Sequence, residues 1–401
     1  MDTRHQKLLL WILPFIQFSH IVDFMMLMPL GPQLMQIFQI SPAQFGYLVS
    51  AYTFSAGLSG LLGGFFLDRF DRKKALLTVY FGFTVGTFCC AISPNYQILL
   101  ASRILAGAFG GLLSATILSI IGDAFPYEKR GQAMGIIMAA FSLASIIGVP
   151  FGIMIAAHTN WQTPFYLLAS ISLIALFTAQ RVLPELSGHM TQKTLKPIET
   201  LKIIFGKSIH YWAFALTLLA TMSSFMIIPF ISPFLVSNGF MTNTTLPLLY
   251  FFGGIFTFFS SQLIGRLSDR FGKHNIFILI SMTAILPMLL ITHLPTGLPL
   301  VFVNASGIFF MVFVSGRMVP MMAMITAVVA PQNRGSFMSF NSAIQQFSSA
   351  LATLIGGSLL ANGLKGELLH YGQVGFIGAV LAFVCIFISL KLKPISTKAV
   401  D

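Results

Sequence analysis

The amino-acid sequence predicts an all-α membrane protein whose twelve transmembrane helices form two pseudo-symmetric six-helix bundles. Three observations lead there: a composition too apolar for a soluble surface, long stretches without charge, and a motif that recurs half a chain later. The chain has 401 residues, 56% of them hydrophobic and 8% charged, against about 25% charged in a soluble domain. That shortage excludes a soluble enzyme, a disordered chain and a nucleic-acid binder of ordinary type. Three cysteines cannot build a disulfide framework. Cys89, Cys90 and Cys385 lie in apolar runs and read as small buried thiols.

No Asp, Glu, Lys or Arg occurs from Phe24 to Leu67, from Gly131 to Gln180, or from Ser208 to Gly265. A membrane span needs about 20 apolar residues, so each stretch holds two. Pro, Gly, Asn and charge clusters mark the turns. They place helices at approximately 8–30, 43–67, 75–92, 98–122, 132–157, 163–182, 210–236, 246–267, 275–293, 298–327, 336–361 and 371–391. No small-residue cleavage site follows the first apolar run, so it reads as retained. With both termini in the cytosol, 20 of the 23 Lys and Arg residues fall on the inner side, as the positive-inside rule requires. The net charge of +12 is then a topology signal whose partner is the anionic inner leaflet of the bilayer. Nucleic acid is not needed to explain it.

The motif Gly64, Asp68, Arg69, Arg72, Lys73 after the second helix matches Gly265, Asp269, Arg270, Lys273 after the eighth, with the aspartates 201 residues apart. Arg130 with Gly131 before the fifth helix matches Arg334 with Gly335 before the eleventh, 204 residues on. Two matches at nearly one offset imply two parallel halves, 1–183 and 209–401. Between them, 184–208 reads as a cytosolic linker whose stretch 198–205 can form a short interfacial helix.

The motif after the second helix resembles the cytoplasmic signature of the major facilitator superfamily, and its weaker echo after the eighth is a habit of that family. Arg103 with Gly107, Gly110 and Gly111 looks like the family's fourth-helix motif. Gly148, Pro150 and Gly152 are similar to the fifth-helix motif of its drug/proton antiporter branch. Two departures from the pattern stand out: Asp71 replaces a glycine of the loop motif, and Val149 separates Gly148 from Pro150. The resemblance implies the major facilitator fold, alternating access, a small-molecule substrate, a monomer and, for this branch, export driven by the proton gradient without a cofactor.

It further implies a conformational latch in which Asp68 faces the start of the eleventh helix and Asp269 the start of the fifth. Free N–H groups and a positive dipole end there attract carboxylates. Gly64, Arg69, Arg72, Arg130, Arg270 and Arg334 complete the two copies. A merely topogenic, solvated loop is the competing reading of these charges, and exposed charges contribute little on their own. Gly148, Pro150 and Gly152 read as a bendable hinge between the halves, or simply as close helix packing.

Charges inside the spans carry the most information. Asp23, Arg103 and Arg317 lie well inside, at about 2.5–3.5 kcal/mol each on insertion scales. Asp23 in an outward-running helix and Arg103 in an inward-running one sit at matched depth, which predicts a pair. His20 lies one turn from Asp23 on the same face, either as part of a proton-coupling site or as a hydrogen-bonded core imidazole. Asp23 is the natural proton carrier, its hold on Arg103 loosening on protonation. Arg317, without an embedded acid in its own half, is expected to face a central water-filled cavity, there to meet an anionic substrate group or Asp23, or else to cap carbonyls freed near Pro320. Gln262, Asn304, Asn341 and Gln345 are candidates to line the same cavity.

The sequence thus points to a secondary transporter of the cell's inner membrane, exporting a small amphipathic or apolar compound in exchange for protons. Uptake of a sugar, metabolite or siderophore is the alternative within transport, and a non-transporting membrane sensor the alternative of another class. A metal site or an enzyme would need clustered His, Asp, Glu or Cys at one depth, and no phosphate-binding loop is present.

Overall fold

A computed structural model describes residues 3–66, 70–125, 127–183, 204–330, 333–364 and 366–392. Twelve long helical stretches run along them: α1 (Thr3–Met26), α2 (Pro42–Phe66), α3 (Arg72–Ala91), α4 (Tyr96–Ala124), α5 (Tyr127–Leu143 and Val149–His158), α6 (Thr163–Val182), α7 (Ser208–Phe225), α8 (Leu246–Phe271), α9 (Lys273–Thr292), α10 (Leu300–Gly316 and Met318–Ala327), α11 (Arg334–Leu359) and α12 (Tyr371–Ser389). Eleven are long and apolar enough to cross a membrane. The remaining one, α11, has the length at 26 residues, but Asn341, Gln345, Gln346 and six serines lower its hydropathy.

Three of the sequence-predicted helices are not continuous rods. The first stops at Met26 and resumes as a short helix, Gly31–Ile37, where Pro32 fits a first turn that needs no N–H. The seventh stops at Phe225 and resumes through a tight turn at Ile228–Phe230 and a short helix at Ile231–Ser237. Pro229 and Pro233 cannot continue the hydrogen-bond ladder there. The tenth is interrupted at Arg317, three residues before Pro320. In α5 the two α-helical parts join through a π-helical turn, Ala144–Gly148, directly before Pro150.

The chain divides into two compact units, Met1–Thr194 with Thr242–Phe251, and Leu195–Met241 with Phe252–Asp401. Their internal packing repeats. In the first unit α3 packs against α4 and α6, and α1 against α5 and α6; in the second, α9 packs against α10 and α12, and α7 against α11 and α12. The helix pairs are the same after a shift of six, so the sequence repeat is a structural one.

Each unit has its own apolar core. Leu9, Leu13, Tyr80, Phe83, Leu113 and Ile117 anchor the first; Ala213, Phe277, Met321, Ile325 and Phe337 anchor the second. Many large apolar side chains point outward instead, among them Trp11, Ile174 and Phe259. Such a surface would aggregate a soluble protein and suits contact with acyl chains. After α11, a two-residue antiparallel pair, β1 (Ala361–Asn362) and β2 (Leu368–Leu369), is tied down where Asn238 accepts from the Leu368 backbone N–H at 2.9 Å. The expected linker helix at 198–205 lies almost wholly outside the described residues.

Candidate functional site: a buried ion pair in the first unit

Asp23 sits one turn before the end of α1 and is fully buried. Its Oδ2 accepts from Arg103 Nη1 on α4 at 2.9 Å, and its Oδ1 accepts from the Thr87 hydroxyl on α3 at 3.0 Å. The pair expected from matched depth therefore forms, with a third partner that nothing in the sequence marked. Both charges are out of solvent, at 0% and 1% exposure. Removing either alone would strand its partner, which is far costlier than never having buried the two.

Tyr52 on α2 completes the surroundings of Arg103, whose guanidinium carbon lies 4.3 Å from the ring centre. A cation over an aromatic face is stabilised by the ring quadrupole, and more so away from water. His20 is buried beside this group, edge-on to Phe83 at 5.6 Å and 6.3 Å from Tyr52. Neither of its ring nitrogens, nor the Tyr52 hydroxyl, has a hydrogen-bond partner among the described residues. Both converge on Gly110 of α4, where an added Cβ would stand 2.6 Å from Tyr52 Oη and 2.8 Å from His20 Nε2. Glycine at 110 is a matter of space.

The small residues flanking Arg103 let α4 approach α2 backbone to backbone. A Cβ on Gly107 would collide with the Tyr52 carbonyl and the Ser55 hydroxyl, and one on Gly111 with the Ala56 carbonyl. Gly148 and Gly152 on α5 instead make room for side chains of α1, Val22 and Phe18 at the first and Met26 at the second. Pro150 is buried between them. Close packing, one of the two readings the sequence offers for these glycines, is what they do against α1 and α6 of their own unit.

The latch residues divide. Asp68 and Arg69 lie outside the described residues, and of Gly64 and Arg130 only the helical backbone is described. Arg72 opens α3 and is buried, its Nε donating to Asp123 Oδ2 at 2.8 Å. Asp123, in the last turn of α4, was missed because the sequence reading ended that helix one residue earlier. The departure Asp71 has a structural use: it caps α3 by accepting from the Lys74 backbone N–H at 3.0 Å. Asp269, Arg270 and Arg334 are exposed, with Arg270 over the Phe271 ring at 5.1 Å.

In the second unit Arg317 corrects the sequence expectation. It is fully buried rather than facing a wet cavity, and it does not cap carbonyls near Pro320. Its Nη2 donates across to α7, to the Ala220 carbonyl at 3.0 Å, to the Ser224 hydroxyl at 2.7 Å and to the Ser223 hydroxyl. Embedded arginines do seek any oxygen they can reach, and here the nearest were in a neighbouring helix. Asn341 is buried and accepts from the Thr217 hydroxyl at 2.6 Å. Asn304, half-buried, donates back to its own helix at the Leu300 carbonyl at 3.0 Å. Gln345 is half-buried one turn after Asn341, and Gln262 is exposed on α8.

A family model described as Major Facilitator Superfamily matches residues 13–315 and 213–400. The chain belongs to the Major Facilitator Superfamily. It is 26% identical over 394 residues to the uncharacterized MFS-type transporter YceJ of Bacillus subtilis, covering 97% of this chain and 95% of that one. It is 24% identical over 363 residues to a probable sugar efflux transporter of Haemophilus influenzae, covering 89% and 87%. Among solved structures it resembles a D-xylose-proton symporter, with a TM-score of 0.80 at 15% identity over 97% and 98% of the two chains. The nucleoside transporter NupG follows with a TM-score of 0.77 at 17% identity, over 96% and 99%. This superfamily member is therefore a multi-pass secondary transporter of small molecules, built on the fold those structures share.

Proposed function

We propose that this transporter exports a small, at least partly apolar compound from a bacterial cell in exchange for protons, with Asp23 as the proton carrier. The observation that carries the reading is the Asp23–Arg103 pair, a carboxylate and a guanidinium buried together in the first unit. Intramembrane ionisable groups are expensive and mark proton or substrate pathways. A proton arriving from outside adds to Oδ2 of Asp23, which then no longer attracts Arg103 as an anion. Thr87 can still serve Oδ1, so the carboxyl keeps one partner through the cycle. Released from the carboxylate, Arg103 stays over the Tyr52 ring. On the cytosolic side, substrate binding favours loss of the proton and the pair re-forms.

Direction is supported by the fifth-helix glycines and proline that resemble the antiporter branch, and by a relative named as a probable sugar efflux transporter. That relative widens the substrate range to polyhydroxylated compounds, which the orphaned His20 nitrogens and Tyr52 hydroxyl suit as hydrogen-bonding partners. The latch at Asp68 and Asp269, with both termini cytoplasmic, would close the inner side while the outer side is open.

The test is transport in proteoliposomes with an imposed pH gradient, parent against Asp23→Asn. Asn keeps the shape and the Thr87 hydrogen bond but cannot carry the proton. The variant should be less stable than the parent, because Arg103 loses its counter-charge. Its folded fraction, recovered by size exclusion, should lose gradient-driven accumulation by an order of magnitude or more. Undiminished coupling in Asp23→Asn would refute the assignment, and substrate-induced fluorescence quenching without flux in the parent would revive the sensor reading.

A further inference from the structure

The first and fourth helices of each half are joined by an arginine, but only one of the two arginines meets a carboxylate. In the first unit α1 supplies Asp23 to Arg103 on α4. In the second, α7 supplies Ser224, 201 residues after Asp23 and at the offset of the repeat itself, to Arg317 on α10. The carboxylate's place is held by neutral hydroxyls.

The donors of Arg317 are unevenly used. Three acceptors crowd on Nη2: Ala220 O, Ser223 Oγ and Ser224 Oγ. Both serine hydroxyls in turn donate to the Ala220 carbonyl, so their oxygens are left to receive from Arg317. Nε and Nη1, buried and carrying three of the five N–H groups, have no acceptor among the described residues. The described part of the second unit holds two acids, Asp269 near the end of α8 and Glu367 in the loop after α11, and neither pairs with Arg317. A guanidinium does not give up its proton, and a buried charge without a counter-charge is among the most unfavourable arrangements in a protein interior.

We propose that Arg317 binds a small monovalent anion inside the second unit, through Nε or Nη1, in the role that the Asp23 carboxylate has in the first. A halide and the carboxylate of a small organic acid share the required chemistry: one negative charge, compact, accepting from N–H. Such an anion neutralises the buried guanidinium and strengthens its hold of α10 against α7. The inference is independent of proton coupling through Asp23.

The experiment uses the full-length protein purified in detergent without halide, in sodium gluconate, whose anion is bulky. At matched ionic strength, chloride or bromide should raise the thermal unfolding midpoint saturably by several degrees. Arg317→Gln should abolish that rise, whereas Asp23→Asn should retain it, which separates this proposal from the one above. Acetate or formate acting in place of chloride supports the carboxylate source; chloride alone supports the halide. A parent indifferent to all of these anions, or an unchanged response in Arg317→Gln, overturns the proposal. Should Arg317→Gln fail to fold, equilibrium dialysis of the parent with radiolabelled chloride and, separately, radiolabelled acetate decides: about one ion of either per folded chain supports the site, and none of both refutes it.

Discussion

The two halves descend from one plan yet hold their helices in different ways. In the first, α2 and α4 meet at their backbones, because Gly107 and Gly111 leave no side chain between the carbonyls of Tyr52 and Ala56 and the opposite helix. In the second, side chains stand at the corresponding approach: Ile264 of α8 lies against Gly316 of α10, and Met311 of α10 against Gly253 of α8. The buried arginines differ in the same sense. Arg103 is fixed by a carboxylate and an aromatic face, and Arg317 by hydroxyls and one carbonyl. Rigid packing and a strong ion pair coincide in one half, while flexible side chains and neutral partners coincide in the other. Within lipid, where apolar association gives no driving force, close backbone approach and polar contacts are what hold helices together. The first unit therefore has the better-defined interior.

The strongest way to break this contrast is Arg103→Met. It leaves the Asp23 carboxylate buried with only Thr87, and the loss is expected to be about 3–5 kcal/mol, read as a lowered unfolding midpoint or failure to purify. A parent-like midpoint would mean that the pair does not hold the first unit. Next in size comes a matched pair of small substitutions. Gly111→Ala drives a methyl into the Ala56 carbonyl and should cost about 1–3 kcal/mol. Gly316→Ala meets only the end of the Ile264 side chain, which can turn aside, and should cost visibly less in the same assay. Equal losses would erase the distinction between the two approaches.

A smaller effect sharpens the comparison of the arginines. A double-mutant cycle between Arg317→Gln and Ser224→Ala should return a coupling of about 1 kcal/mol, well below that of an Asp23→Asn and Arg103→Gln cycle measured alongside. The smallest expected change is at the rim. The Asp123 side chain is 34% exposed, so Arg72→Gln should alter stability by about 1 kcal/mol or less. Any larger effect of Arg72→Gln should then appear in transport rate.

Much of the architecture was legible before any coordinates. Charge-free stretches mark the spans because a charge in hydrocarbon is costly, and the repeated Asp-Arg motif divides the chain because it is confined to one kind of loop. Asp23 and Arg103 could be paired from depth alone, being rare groups that each need a partner. The partners of Arg317 could not. Serines occur in eleven of the twelve long helices and backbone carbonyls in all, so nothing singles out Ser223, Ser224 or Ala220. Thr87 and Tyr52 stayed hidden for a related reason: these helices are apolar on all sides, and periodicity then fails to say which face is inward. Asp123 was within reach, since a buried-looking Arg72 opening one helix calls for an acid closing its neighbour on the same side. The interruptions at Met26 and Phe225 were missed because the residues there remain apolar and the spans read as unbroken.

The π-helical turn at Ala144–Gly148 has a consequence for anyone designing cysteine scans or cross-links along α5. A wider turn accommodates one residue beyond the α-helical count, and a residue subtends about 100° of a regular helix. A helical wheel drawn continuously from Tyr127 therefore mislabels every azimuth after Gly148 by that angle, and would turn Gly152 away from Met26 and toward lipid. Accessibility patterns along this segment should consequently show a phase jump, with labelling maxima on either side of the turn belonging to two different wheels.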